Sequence, residues 1–430
     1  MARTVLGLRH AALLSLALSL FVAAPLVAQE AKPGSGKLDG IAVSGSTKFR
    51  SDQIAPATGL KAGQPVTRED IQRGADALAN LGPFSNVQYR FSTTDTGVRV
   101  EYQVTDAPAL PVLFDNFPWF TDSEIVALIK SSVPLFDGTA PERGSILDDM
   151  ANALSRQLVA HGTVANVSHE LVTLPDVGRQ FVVFHAEGVS LNVKSIEFSD
   201  PLASNDRAIQ DRLPDLVGKP FSRSAIRLFE LEQVRPVYLA HSFLRVAFGE
   251  ISTQVEGNNV VVRAPIDAGP AFTWNGATWI GNTTVPSSDL DKLVELNVGG
   301  SADGLKIEAT WESVRHAFER HGYLDVALDP VPAYNDAVKR VGYSVKITEG
   351  TQYRMGKLVL TGLSMEGERR LRAAWKIPAG SVFDQGVYEQ FLDTGIKEAF
   401  QGLPVHYEKI GRFLQKDSAA GKIDVLLDFQ

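Results

Sequence analysis

The feature that most restricts how this chain can fold is an internal period of eighty residues. Five helix-like segments each run into a short junction: Leu81-Gly82-Pro83-Phe84, His161-Gly162-Thr163-Val164, His241-Ser242-Phe243-Leu244, His321-Gly322-Tyr323-Leu324 and Gln401-Gly402-Leu403-Pro404. The second residues fall at 82, 162, 242, 322 and 402, each 80 after the last. Glycine at that place supplies the positive φ that ends a helix, and Ser242 is the one departure. A valine follows soon after in every copy, at Val87, Val167, Val246, Val326 and Val405. A chance origin for so regular a register is remote, and the chain reads as a tandem array.

The residues around each junction predict one recurring set of elements. Before the first junction, Thr67 and Asp70 form a capping-box-like start, and Ile71, Ala75, Leu78 and Leu81 recur at helical spacing. Copy four repeats the stripe with Ile307, Trp311, Val314 and Phe318, and copy five with Tyr388, Leu392, Ile396 and Phe400. Pro236 is expected to kink or shorten the helix of copy three. After the junction, Val87, Tyr89 and Phe91 alternate with polar residues, Thr93 to Gly97 turn, and Val98, Val100, Tyr102 and Val104 alternate again. That is a hairpin with one buried face. Val341, Tyr343, Val345 and Ile347 in copy four and Ile423, Val425, Leu427 and Phe429 in copy five repeat its second strand. Each copy opens with a strand and a first helix, as in Ile41, Val43 and Gly45 before Asp52 to Leu60, or Lys357 to Gly362 before Glu366 to Trp375. The unit is β-α-α-β-β, an α+β design in which two helices cover one face of a three-stranded sheet.

A chain of 430 residues is too long for one ordinary core and is expected to form several domains. The net charge of −8 argues against a broad phosphate-binding surface, and so against nucleic acid as a partner. The absence of cysteine removes disulfides and thiolate metal sites. At the start, Arg3, Arg9 and His10 precede an apolar stretch from Ala11 to Leu26, the layout of a secretory signal peptide with cleavage expected after Ala28. The alternative is an uncleaved anchor, because the run approaches the roughly 18 residues that begin to suffice for a span. No second apolar run after Ala28 is long enough to cross a bilayer, and the mature chain is expected to be soluble.

Signals for chemistry are weak. Equivalent positions in successive repeats, such as His161, His241 and His321, lie a module apart, too far to share a metal ion. Gly34-Ser35-Gly36-Lys37 lacks the first glycine of a phosphate loop and has Leu38 where the hydroxyl is required, so it reads as a linker. His169-Glu170 has no second histidine at the metalloprotease spacing. No catalytic residue, metal ligand or cofactor site is assigned, and no enzymatic activity is expected.

The element order and length resemble the POTRA (polypeptide-transport-associated) domain. Arg320-His321-Gly322-Tyr323-Leu324-Asp325-Val326 is similar to that family's helix-to-strand junction. Glu349-Gly350-Thr351-Gln352-Tyr353 leading to Lys357-Leu358-Val359-Leu360-Thr361-Gly362 is similar to the passage from one POTRA unit to the next, as is Asp267-Ala268-Gly269-Pro270 leading to Thr278-Trp279-Ile280-Gly281-Asn282. The resemblance implies tandem modules in an extended array: signal peptide 1–28, linker 29–36, then units at 37–108, 109–190, 191–270, 271–350 and 351–430. The family's best-known architecture, an outer-membrane assembly factor, places five such units before a membrane β-barrel. Here the fifth unit uses the chain to Gln430, so the sequence resembles the periplasmic part without the barrel.

The resemblance also implies a function. POTRA units are thought to hold clients at an exposed sheet edge, where unpaired N–H and C=O groups accept an extended segment. The strand after the junction is the expected edge, which makes Arg245, Val246, Phe248 and Ile251 in copy three the preferred site and Leu324, Val326 and Leu328 in copy four the second. The plainer reading is that these strands only pack their own helices. Expected partners are unfolded outer-membrane proteins and a separate β-barrel or assembly lipoprotein, in the periplasm with peripheral association to the outer membrane. The alternative is a secretion or cell-division adaptor held in the inner membrane by the first helix. Mass spectrometry of the N-terminus separates the two: the scaffold reading expects a chain beginning at Gln29, whereas retention of Met1 favours the adaptor.

Overall fold

In the computed structural model, residues 36–174, 179–403 and 407–430 are described. The expected signal segment with its cleavage at Ala28, most of the 29–36 linker, and Val405 lie outside them. The chain divides into two compact units between Pro108 and Ala109.

The first unit comprises β1 (Gly36–Ser44), α1 (Ser51–Ile54) running into a 3-10 turn, the two-residue β2 (Pro65–Val66), α2 (Arg68–Leu81), β3 (Phe84–Thr93) and β4 (Val98–Asp106). Helix α2 begins as its sequence requires: Asp70 N–H donates to Thr67 Oγ1 at 3.2 Å and Thr67 N–H to Asp70 Oδ2 at 2.8 Å. Its Ile71, Gly74, Ala75 and Leu78 are buried. The sheet order is β2-β1-β4-β3, with β4 parallel to β1 and antiparallel to β3.

The second unit repeats that plan four times. Copy two holds β5 (Leu110–Phe114), α3 (Asp122–Ser132), β6 (Thr139–Ala140), α4 (Ser145–Ala160), β7 (Val167–Leu174) and β8 (Arg179–Ala186), in the order β6-β5-β8-β7. Copy three holds β9 (Asn192–Phe198), α5 (Pro201–Asn205), α6 (Arg207–Arg212), α7 (Arg223–Phe229), α8 (Arg235–Ala240), β10 (Ala247–Phe248), β11 (Ser252–Glu256), β12 (Asn259–Ala264) and β13 (Ile266–Asp267). Its main sheet is β11-β12-β9, and β10 pairs separately with β13. Copy four holds β14 (Thr273–Ile280), α9 (Ser287–Asp291), α10 (Gly304–Glu319), β15 (Ala327–Asn335) and β16 (Arg340–Thr348), ordered β14-β16-β15. Copy five holds β17 (Arg354–Thr361), α11 (Met365–Ala374), α12 (Gln385–Gln390), α13 (Ile396–Ala399), β18 (Ile410–Asp417) and β19 (Lys422–Phe429), ordered β17-β19-β18.

Two details refine the sequence reading. The junction residues all have positive φ: 112° at Gly82, 90° at Gly162, 68° at Ser242, 84° at Gly322 and 78° at Gly402. Ser242 therefore adopts the left-handed conformation without being glycine, and its buried hydroxyl bonds Ser301 Oγ at 2.5 Å. Pro236 does not end its helix. A π turn at Glu230–Val234 widens the coil just ahead of it, and α8 continues with Pro236 as its second residue. Copy five contains the same kind of turn at Phe391–Gly395 with no proline nearby.

The cores follow from alternation. In the central strands, Val100, Tyr102 and Val104, then Val182, Phe184 and Ala186, Val260, Val262 and Ala264, Val341, Val345 and Ile347, and Ile423, Val425, Leu427 and Phe429 are all buried. In copy one the helix fits around a single hydroxyl. Tyr102 Oη donates to the Ile71 carbonyl at 2.9 Å, and burial pushes the phenol up to about 12. A Cβ on Gly74 would lie 2.4 Å from that oxygen. Gly74→Ala, which favours an exposed helix, is expected here to destabilise the first unit by about 1–3 kcal/mol. Tyr102→Phe in the Gly74→Ala background is expected to cost less than the sum of the two, because it removes the colliding atom. Urea titration read by exchange protection of the α2 amides checks both.

Candidate functional site at the sheet edges and joints

In four copies the strand after the junction is the outermost on one side, and in copy three, where β10 comes first, it is the next strand: β3, β7, β11, β15 and β18 end their sheets. Among the described residues no strand pairs with their outer sides. The opposite edge is partly covered, by β2 and β6 in the first two copies and by single bridges Asn192–Pro220, Thr273–Ser301 and Arg354–Val382 in the others.

The residues singled out in copy three lie before the edge strand. Arg245 is in a turn, and β10, which contains Phe248, is only two residues long and faces Ile266 on β13. Val246 and Phe248 pack on the cluster of Phe229, Val234 and Tyr238, and Ile251 is fully buried. The break has a visible cause: Arg227 donates to the Gly249 carbonyl at 2.7 Å and Gly249 N–H bonds Pro265, which bends the chain before β11 begins at Ser252. In copy four, Leu324 and Val326 also precede the edge strand, and only Leu328, half-buried and opposite Ile347, lies on it.

Of these residues, Arg245 and Leu324 reach across joints between copies, while Val246, Phe248, Ile251, Val326 and Leu328 pack within their own copies. At the joint of copies three and four, Phe272 N–H donates to the Ser242 carbonyl at 3.0 Å, Ala302 N–H to the Phe272 carbonyl at 3.1 Å, and Leu244 packs on the cluster of Phe272 and Trp274. The Arg245 guanidinium stands 5.0 Å from the Phe272 ring and 4.9 Å from the Tyr334 ring and pairs with Asp336. The joint of copies four and five repeats this. Tyr353 N–H donates to the Gly322 carbonyl at 2.8 Å, Phe383 N–H to the Tyr353 carbonyl at 3.0 Å, and Leu324 packs on the copy-five core. Asp325 pairs with Lys416 and accepts from Tyr353 Oη at 2.5 Å. Residues 245 and 325 are 80 apart, as are 336 and 416. The two ion pairs are therefore equivalent, with their charges exchanged. Helix α10 also packs against both α8 and α12.

Copies two and three meet differently. Asp115 accepts from Ser222 Oγ at 2.8 Å and from Ser224 N–H and Oγ at 3.0 and 2.6 Å. Arg223, with 4% of its side chain exposed, pairs with Asp122 at 2.5 Å and donates to the Phe120 carbonyl at 2.6 Å. Glu250 accepts from Ser123 N–H and Oγ, and Thr253 donates to the Pro118 carbonyl. The sequence held no local signal for these contacts, since their partners lie more than a hundred residues apart.

The histidines of the repeat serve separate local roles. His161 packs 5.7 Å from Trp119 and 5.4 Å from Phe120, His241 Nδ1 lies 2.8 Å from the Val237 carbonyl, and the His321 carbonyl accepts from Gln352. Among the described residues no three or more His, Asp or Glu side chains gather as metal ligands would, and no helix is long and apolar enough to cross a membrane.

Residues 37–107 and 272–350 match the POTRA family model, described as surface antigen variable number repeat. The match takes in copies one and four, which are thus similar to POTRA domains. Similar solved structures include POTRA3-5 of BamA from Haemophilus influenzae, 16% identical, covering 56% of this chain and 96% of that chain with a TM-score of 0.44. Others are the N-terminal domain of Omp85 from Thermosynechococcus elongatus, 10% identical over 72% of this chain and 96% of that one with a TM-score of 0.19, and CdiB from Escherichia coli, 16% identical over 48% and 35% with a TM-score of 0.21.

The Lys416 hydrogen bond, then that from Tyr353, hold the Asp325 carboxyl below its ordinary 3.8. A depressed carboxylate contributes stability above its unfolded pKa and loses it as pH falls through the folded one. Exchange protection of the Tyr353 amide is thus expected to be level near neutrality and to fall below about pH 4. Asp325→Lys is expected to lower that protection at neutral pH, and Asp325→Lys with Lys416→Asp to restore it. The effect is expected to be about 0.2–1 kcal/mol, because the pair is partly exposed.

Proposed function

We propose that the chain is a periplasmic scaffold, without catalytic chemistry of its own, that binds other polypeptides during outer-membrane protein assembly or transport. The observation that carries this reading is topological: each of five small sheets ends in a strand whose outer backbone groups meet no other strand among the described residues. Two of those sheets lie in segments that match the POTRA model. An open edge accepts an extended chain through N–H and C=O groups that every residue carries, so affinity comes with little sequence selectivity. That property suits a carrier of many clients.

On this reading the five sheet-and-helix copies are the domains, at 37–108, 109–190, 191–270, 271–350 and 351–430, behind a leader cleaved after Ala28. The clients are unfolded outer-membrane proteins, and a separate β-barrel or assembly lipoprotein is the docking partner, with the scaffold peripheral to the outer membrane. The clients pair with the strands after the junctions. Leu328 lies on β15, an edge that Pro330 and Pro332 interrupt, and Arg245, Val246, Phe248, Ile251, Leu324 and Val326 act indirectly by holding the edge strands in place. Pull-down of the exported chain from an envelope extract is expected to recover outer-membrane or assembly proteins, and recovery of neither would overturn the proposal.

A further inference from the structure

Strand addition, the reading on which this inference rests, requires an edge whose outward backbone donors are present and uncovered. The five edges differ in that respect. Strand β15 contains Pro330 opposite Val345 and Pro332 opposite Tyr343. Proline has no N–H, and a sheet tolerates it only where that group would face away from the paired strand. Both gaps therefore lie on the outward row of β15, where an incoming strand would find two successive donors missing. Strand β11 is five residues long, and its Thr253 is tied to the Pro118 carbonyl of copy two. Strand β18 carries Gly411, Arg412 and Lys416, the last drawn to Asp325 of copy four. Strand β7 carries His169, 3.2 Å from Asp148, and the exposed Glu170.

Strand β3 has neither proline nor a tie to another copy among the described residues, and its register shift is confined to its start, between Phe84 and Asn86. It is ten residues long, without proline or glycine, and its one charge, Arg90, is neutralised by Glu101 at 2.8 Å. Val87, Tyr89 and Phe91 stand opposite Val104, Tyr102 and Val100, which are buried. These three side chains are thus the outermost row of the core face, and Phe91 is 44% exposed. Tyr89 is held in place by the Tyr102 ring at 6.2 Å and by its hydroxyl, 2.9 Å from Gln72 on α2. Soluble proteins blunt long edges with charge or proline because an open one recruits strands.

We propose that β3 is the principal strand-accepting edge of this chain. Its occupant is an extended segment of another polypeptide with apolar side chains at alternate positions, which continue the row of Val87, Tyr89 and Phe91. The absence of a free charge on β3 selects an uncharged inner face on that segment, and ten residues offer about five outward-facing positions for main-chain bonding.

The chain has no cysteine, so single thiols placed at the exposed Gln88→Cys (β3), Gln254→Cys (β11), Val331→Cys (β15) and Gln415→Cys (β18) each report one edge. The full chain is incubated with a synthetic peptide of alternating valine and threonine bearing one activated disulfide. Adduct at Gln88→Cys is expected to exceed that at Val331→Cys by roughly tenfold. Adding Pro330→Thr and Pro332→Thr to Val331→Cys is expected to raise its adduct, because the missing donors return. Strongest adduct at Gln254→Cys, Gln415→Cys or Val331→Cys would overturn the assignment to β3 while leaving strand addition intact. No adduct at any of the four thiols would overturn strand addition at these edges, β3 included. A Gln88→Cys chain that links to a second copy in place of the peptide would overturn the assigned partner.

Discussion

Each copy depends on one buried strand. The last long strand of the repeat lies at the middle of its sheet, bonded in parallel to the first strand and antiparallel to the one before it, with every second side chain beneath the helices. Both sides of that strand are taken, so the preceding strand is forced to the edge. The same arrangement explains why a unit of about eighty residues can hold a core: one strand contributes three or four fully buried side chains, and two helices cover them. The open edge is a consequence of the topology, and whether it is usable depends on the residues that occupy it.

The joints arise from the end of the second helix. A left-handed residue turns the chain sharply, which leaves its carbonyl to accept from the first strand of the next copy and carries the side chain two residues on into the next core. Ser242 with Leu244, and Gly322 with Leu324, do this in the same way. The exchanged charges of Arg245–Asp336 and Asp325–Lys416 make the two joints alike in shape and different in sign. Two of the residues expected to grip a client, Arg245 and Leu324, thus also hold neighbouring copies together.

The edges themselves show graded protection. Paired prolines close β15, a short span and a tie to copy two limit β11, and charged residues guard β7 and β18. The edges of the five main sheets would otherwise invite pairing between copies and between molecules. The contrast among edges of one topology lies in particular residues, since the fold alone would make all five equivalent.

Much of the fold was legible in the chain because it rests on short-range rules. Helical spacing from Ile71 to Leu78, alternation from Val98 to Val104, and the 80-residue spacing of positive-φ positions each depend on neighbours within a few residues. Even Pro330 and Pro332 could be read as a barred edge once the strand was placed. The limits of the edge strand in copy three could not, because the bend at Gly249 is set by Arg227 and Pro265, each well removed along the chain. The sequence by itself determined the repeat, its element order and the buried face of each strand, since these follow from local backbone geometry and period. Only the tertiary structure decided that Arg245 stacks on the next copy, that Arg223 is buried against copy two and that the one charge on β3 is paired with Glu101, because those outcomes depend on which distant surfaces meet.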